Sequence, residues 1–254
     1  MRKRLDVLLV ERGLAETRAQ AQALVMAGLV PGHAKPGEQV DEAAPLEIEG
    51  APPYVSRGGQ KLEHALDLLG IDVAGLDCLD VGASTGGFTD CLLQRGAARV
   101  IALDVGRGQL HAKVRGDPRV TVLERVNVRR LTELPFAPQF VTADVSFISL
   151  RVALAPALAL AERGWRALAL VKPQFEAGRA EVGKGGVVRD PEIWRRVLLE
   201  VSEASLGWDA EPVRVADSGL PGPKGNREFF LYLRHRPDAS LPDELPRWID
   251  EAIG

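Results

Sequence analysis

From residue 75 onward the chain alternates between short apolar runs and amphipathic stretches. Apolar runs at 77–81, 100–105, 120–123, 140–145, 167–171, 212–216 and 229–233 predict strands. Helical spacing of apolar positions predicts helices over 87–95, 108–115, 149–162 and 190–205. Alternation of this kind predicts an α/β fold with a mostly parallel sheet covered on both faces. Only a turn-rich loop, 218–226, separates the last two strand patterns, which predicts an antiparallel hairpin at one edge. The tail 237–254 carries a short helical pattern around Trp248 and Ile249, expected to lie on the surface.

The first 50 residues follow a different pattern and predict a separate small domain. Leu5, Leu8 and Leu9 share one helical face. Thr17 with Gln20 gives a capping signal for a second helix, whose Ala21, Leu24 and Val25 share a face and which Gly28 ends. Arg2, Lys3, Arg4, Arg12 and Arg18 cluster here. With Lys35 they make six bases in 1–35 against Asp6, Glu11 and Glu16, whereas 36–50 carries five acids and no base. The arginines fit a solvated helix face or a local surface for a polyanion. Consecutive prolines in Ala51-Pro52-Pro53-Tyr54 predict a stiff linker over 51–55. A second domain, 56–254, then opens on a helix at Ser56-Arg57-Gly58-Gly59-Gln60-Lys61, with Leu62, Ala65, Leu66 and Leu69 on one side.

Composition narrows the function classes. The 254 residues are 46% apolar and 26% charged, as in ordinary soluble proteins. A net charge of −3 provides no global field for nucleic acid, so any such binding needs a local patch. Cys78 and Cys91 form no CxxC pair and read as buried hydrophobes of a reducing cytosol. His33, His64, His111 and His235 are scattered without metal-ligand spacing, so no metal is expected. Met1-Arg2-Lys3-Arg4 begins no signal peptide, because Asp6, Glu11 and Arg12 interrupt the apolar stretch. The weakly polar run 152–160 is followed by Glu162, Arg163 and Arg166 and predicts no membrane span. A cytoplasmic monomer is the expectation.

Chemistry enters at Asp80-Val81-Gly82-Ala83-Ser84-Thr85-Gly86-Gly87-Phe88-Thr89-Asp90. A strand runs into glycines and then a helix, placing a backbone-lined cradle at the carboxyl end of a strand. A dinucleotide fingerprint needs glycine where Ser84 stands, and a phosphate loop needs a lysine that does not follow Gly86. A nucleoside without a phosphate chain remains, and S-adenosylmethionine fits. Asp104 ends the next strand 22 residues after Gly82 and suits a ribose diol or a helix N-cap. Asn127 follows the third strand, where its amide could read an adenine edge or simply serve a loop.

Asp144 and Lys172 end the fourth and fifth strands, on the ligand edge of the sheet. An antiparallel last strand brings Glu228, at its start, to the same edge, and Lys61 can fold over it from the preceding helix. Four such residues fit an ion-pair network or a reaction centre, and their joint occurrence favours chemistry. Methylating a ribose 2′-hydroxyl needs a base for its proton. A lysine suits when burial and a neighbouring cation favour its neutral form. The sulfonium donor is already electrophilic, so catalysis is positioning and electrostatics without a metal.

Five motifs in order then resemble the TlyA family: Ser56-Arg57-Gly58-Gly59-Gln60-Lys61-Leu62, the 80–90 loop, Asp144-Val145-Ser146-Phe147-Ile148-Ser149, Lys172-Pro173-Gln174-Phe175-Glu176 and Gly225-Asn226-Arg227-Glu228-Phe229. The resemblance spans nearly the whole chain. It implies a Rossmann-like class I methyltransferase domain of the FtsJ type, with a mostly parallel seven-stranded sheet. It also implies a small α+β RNA-binding domain before it, similar to that of a small-subunit ribosomal protein. The implied activity is S-adenosylmethionine-dependent 2′-O-methylation of ribosomal RNA, at cytidines, in one or both ribosomal subunits. The family's tetrad carries over onto Lys61, Asp144, Lys172 and Glu228. Lys172 is then the base, Asp144 orients it, Lys61 stabilises charge near the reacting oxygen, and Glu228 holds Lys61 or the ribose. Donor contacts carry over to Gly82, Ser84, Gly86, Gly87, Asp104 and Asn127, and RNA contacts to Arg2, Lys3, Arg4, Arg12 and Arg18. One departure stands out: 29–34 is a few residues shorter than the family's hairpin before Lys35-Pro36-Gly37. Members are often labelled haemolysins, but nothing here predicts a spanning or strongly amphipathic cationic segment.

Overall fold

The computed structural model describes residues 2–15, 17–26, 28–50, 52–222 and 224–254, apart from the side chain of Ala23. Glu16, Ala51 of the expected linker and Pro223 of the expected loop lie outside the described residues. The chain divides into two compact units, Met1–Pro53 and Tyr54–Gly254.

In the first unit, β1 (Arg2–Arg4) leads into α1 (Leu5–Glu11) and then α2 (Arg18–Met26). β2 (Gln39–Asp41) returns antiparallel to β1. The expected cap forms: Gln20 N donates to Thr17 Oγ1 at 3.1 Å. Leu5, Leu8, Leu9, Ala21, Val25 and Val40 make the core. The two strands escape a pattern search because three residues are too few to show an alternation.

The second unit opens with α3 (Arg57–Leu69) and continues with β3 (Asp77–Val81), α4 (Gly87–Gln94), β4 (Arg99–Asp104), α5 (Ala112–Arg115) and β5 (Val120–Glu124). There follow β6 (Phe140–Ala143), α6 (Leu150–Leu158), β7 (Arg166–Val171), α7 (Pro173–Glu176), α8 (Pro191–Ser205), β8 (Ala210–Asp217), β9 (Phe229–His235) and α9 (Leu245–Ile253). The seven strands lie in the order β5-β4-β3-β6-β7-β9-β8. β3 to β7 run parallel, and β9 is antiparallel to both of its neighbours. From β3 the chain winds outward to β4 and β5, then returns to β6 on the other side. That reversal opens a crevice beyond the carboxyl ends of β3 and β6, where open α/β sheets take ligands.

Apolar layers cover both faces. Leu62, Leu66, Phe88 and Leu92 pack on one, and Leu150, Leu154, Val197 and Val201 on the other. Each such side chain, fully buried, contributes about 1.5–3 kcal/mol.

Two expectations are corrected. The helix expected over 108–115 is only Ala112–Arg115, because Gly108, at φ +67, sits in a loop that bonds back to Glu124. The C-terminal helix is not a surface addition. Leu245, Ile249, Ala252 and Ile253 are buried within the main core, because their spacing aligns them on one face. Among the described residues no helix is long and apolar enough to cross a membrane.

Candidate active site

The glycine loop after β3 forms the first half of the site. Gly82 has φ +84, and a Cβ there would lie 2.5 Å from the Asp144 carbonyl oxygen, so no side chain fits. Its N–H and that of Ala83 both donate to Leu103 O, at 2.8 and 3.1 Å. Ser84, at φ +49, donates its N–H to Asp104 Oδ2 at 2.8 Å, and Gly106 N donates to Asp104 Oδ1 at 2.6 Å. Asp104 therefore ties the loop to the end of β4 and caps no helix. Asn127 Oδ1 accepts from Arg129 N at 3.1 Å, capping a 3-10 turn at Val128–Arg130. Gly82, Ser84, Asp104, Gln109, Asn127 and Phe147 are among the residues lining a cleft of about 460 Å³ with mostly apolar walls. That volume suits a small ligand. Gly86 is turned instead toward Leu110 and Val114, and Gly87 packs against Ser56.

Beneath the loop lies Asp80, fully buried, taking hydrogen bonds from Thr89 Oγ1 at 2.7 Å and Thr142 Oγ1 at 3.2 Å. Burial pushes its carboxyl up to about 7, against the lowering effect of the Thr89 hydroxyl. Asp80 borders a narrow pocket of about 170 Å³ that it shares with Gly82, Gly87, Asp144, Ser146 and Lys172. The two cysteines, Cys78 and Cys91, are pushed up to about 12 by burial and stay thiols.

The second half is built from side chains. Lys172, at the end of β7, pairs its ammonium with Asp144 and donates to Ser146 Oγ at 3.0 Å. Lys61, from α3, reaches Glu228 Oε2 at 2.5 Å; their side chains are 8% and 2% exposed. A charge so placed is tolerated only with its partner. Lys172 and Glu228 line one cleft of about 450 Å³ with Ser146, Phe147, Gln174 and Phe175. The structure thus brings the four residues together as two ion pairs. Lys172 and Glu228 face the cleft directly, and Lys61 stands behind Glu228. Ser146 borders all three cavities. The segment from Asp144 to Ser146 is the wall between the clefts.

Phe147 is absent from the expected site residues. It has φ +65, is 92% exposed, and its ring lies 5.1 Å from that of Phe175. A bulky residue in that backbone region needs surroundings that hold it there. Glu176 provides them: its carboxylate accepts from Ser149 Oγ at 2.5 Å and Leu150 N at 2.7 Å, locking the loop at its exit. The available signal was an aromatic residue four positions after a strand end.

In the first unit, the buried Asp6 organises two of the expected RNA contacts. Arg4 Nε and Nη2 and Arg18 Nη2 each lie 3.0 Å from its carboxylate, and Gln22 Nε2 lies at 2.9 Å. The Arg4 hydrogen bonds hold the Asp6 carboxyl well below the usual carboxylate range. Both guanidinium groups remain about half exposed. Lys3 instead bridges Glu11 and Glu42, at 2.8 and 2.6 Å, and Arg12 donates to the Ala44 and Glu42 carbonyls. Arg2 is exposed on β1. Among the described residues no cluster of three or more His, Cys, Asp or Glu could hold a metal ion.

The chain is similar to known proteins in sequence and fold. The FtsJ-like methyltransferase family matches residues 54–235, and the S4 domain matches residues 3–30. The 16S/23S rRNA (cytidine-2'-O)-methyltransferase TlyA of Mycobacterium tuberculosis is 48% identical over 251 residues, covering 94% of this chain and 92% of that protein. A solved structure from Streptococcus thermophilus that carries the name hemolysin is 40% identical with TM-score 0.76, covering 99% of this chain and 95% of the other. At the level of fold alone, a Burkholderia thailandensis N-methyltransferase bound to S-adenosylhomocysteine superposes with TM-score 0.51 at 19% identity, over 72% of this chain and 79% of its own. With a family match over most of its length and a close relative over nearly all of it, the chain belongs to the TlyA group of FtsJ-like methyltransferases, with an S4 domain before the methyltransferase domain.

Proposed function

We propose that this protein transfers a methyl group from S-adenosylmethionine to the 2′-hydroxyl of a cytidine in ribosomal RNA. The observation that carries the reading is the junction of the two clefts, where Lys172, Asp144 and Ser146 stand between a glycine-loop crevice and a cavity walled by aromatic rings. The kinship with a ribosomal RNA cytidine-2′-O-methyltransferase supports the choice of substrate.

The first cleft fits the donor: the close approach of Gly82 to the Asp144 carbonyl leaves a loop lined by backbone, and the apolar walls end in one carboxylate and one amide. Gly82 and Ser84 admit the donor closely, Asp104 has lone pairs left for a ribose diol, and the Asn127 amide suits an adenine edge. Gly86 and Gly87 shape the loop through packing. When bound, the donor supplies an electrophilic methyl group on a sulfonium. On the acceptor side, Lys172 in its neutral form takes the proton of the 2′-hydroxyl as the oxygen attacks. Asp144 and Ser146 hold the amine in place, and Asp144 stabilises the ammonium that results. Lys61, behind Glu228, offsets the charge of that carboxylate at the cleft, so that less negative charge faces the oxygen as it becomes negative. Phe147 and Phe175 offer faces on which a splayed base stacks. In the S4 domain the Arg4 and Arg18 pair on Asp6 contacts phosphates, with Arg2, Lys3 and Arg12 adding to or bracing that surface. The enzyme works as a cytoplasmic monomer on RNA of one or both ribosomal subunits.

Lys172→Ala tests the reading. With ribosomal subunits from cells lacking the gene, the rate of 2′-O-methylation falls about 10²–10⁴-fold. Donor affinity, measured by calorimetry, stays within about threefold, since one interaction is removed from a many-contact site. A variant that still methylates at the normal rate removes Lys172 as the base.

A further inference from the structure

A residue that lines the acceptor cleft carries a hydrogen-bond acceptor that the proposed chemistry leaves unused. Gln174 lies on α7 between Lys172 and Phe175, and it lines the cleft with Phe147, Phe175, Lys172 and Glu228. Its Nε2 faces Glu228 Oε1 at 3.4 Å, while the other oxygen of Glu228 takes the Lys61 ammonium. An ionised carboxylate only accepts, so the amide nitrogen must be the end turned toward it. The carbonyl end is thereby oriented as well. Gln174 Oε1 is shut off from solvent and has no hydrogen-bond partner among the described residues.

Buried acceptors are nearly always paired, and an unpaired one costs stability until a donor arrives. Its surroundings indicate what donor to expect. A base stacked on Phe147 or Phe175 has its faces covered, which leaves its edge for hydrogen-bond readout. Cytosine presents an exocyclic amino group on that edge, whereas uracil presents a carbonyl oxygen. A carbonyl set against Oε1 would place two acceptors together and leave both unpaired. On the ribose-methylation reading above, we infer that Gln174 Oε1, closed off while the cleft is empty, is uncovered as the base enters, accepts a hydrogen bond from the exocyclic amino group of the target base and is the element that favours cytidine over uridine. Glu228 has a second task in this arrangement: besides holding Lys61, it orients the amide that reads the base.

The test uses the full chain, tritiated methyl donor and reconstituted ribosomal subunits carrying cytosine or uracil at the mapped position. Wild type prefers cytosine about 10- to 100-fold in kcat/KM, the range of one buried hydrogen bond. Gln174→Met keeps the length of the side chain and loses the acceptor. It brings the ratio to within about threefold of unity by slowing the cytosine reaction, with donor affinity and melting temperature retained. Gln174→Asn keeps an acceptor and restores part of the preference, which also decides the matter if the Met variant does not fold. An unchanged ratio in the Met variant, or a wild-type ratio near unity, overturns the assignment. Alkaline hydrolysis separates this failure from that of the parent reading. A 2′-O-methyl group blocks cleavage at its own phosphodiester whatever the base. Absence of that block refutes ribose methylation, and its presence with an unchanged ratio refutes only the role of Gln174.

Discussion

The two clefts that meet at Ser146 are built by different means. The glycine-loop cleft is formed largely by backbone and by short-range contacts: Gly82, Ser84, Asp104 and Asn127 come from consecutive strand ends, and their polar groups are satisfied by nearby N–H groups. The other cleft is formed by side chains drawn from the loop after β6, the end of β7, α7 and the residues just before β9, with Lys61 of α3 behind Glu228. The Lys61–Glu228 pair alone joins residues 167 apart in sequence. The difference teaches that one cleft tolerates many side-chain changes provided its glycines remain, while the other depends on long-range ion pairs that fail singly.

The largest expected effect breaks the second cleft. Lys61→Met leaves Glu228 buried without its cation and destabilises the fold by about 3–5 kcal/mol in urea unfolding. Adding Glu228→Leu to Lys61→Met recovers most of that loss, because an apolar pair needs no counter-charge. Methylation stays lost in the double variant; its return would reduce the pair to a structural role.

A second prediction concerns Asp80, under the first cleft. Its carboxyl is raised from 3.8 to about 7, so the folded state favours the neutral acid. The associated stability is complete below about pH 4 and disappears as pH rises through 7. Wild type therefore loses on the order of 2–4 kcal/mol between pH 4 and pH 8 from this group. Asp80→Asn, neutral throughout, flattens the dependence of melting temperature on pH. An unaltered slope would mean that Asp80 is ionised in the fold, with another group carrying the charge balance.

The smallest of the three sharpens the contrast. Gly82→Ala places a methyl against the Asp144 carbonyl at a positive φ and costs about 1–3 kcal/mol. Donor affinity drops more than about tenfold, a larger share of its effect than stability accounts for. If melting temperature falls and donor affinity does not, the glycine loop is not the donor cradle.

The amino-acid sequence by itself determined the order of strands and helices, the hairpin at one edge and the glycine loop at a strand end. These follow from residue period and from turn chemistry, both of which are local. It also supplied the identities of Lys61, Asp144, Lys172 and Glu228. Tertiary structure alone decided how they pair: Lys172 with Asp144 and Ser146, Lys61 with Glu228, and the amide of Gln174 against Glu228. It decided as well that Phe147 stands exposed at a positive φ, that Asp104 is a tie between loop and strand, and that the last helix belongs to the core. The physical reason is range. Periodicity reports on neighbours a turn or a pleat away, whereas an ion pair is set by where distant strand ends come to rest in space.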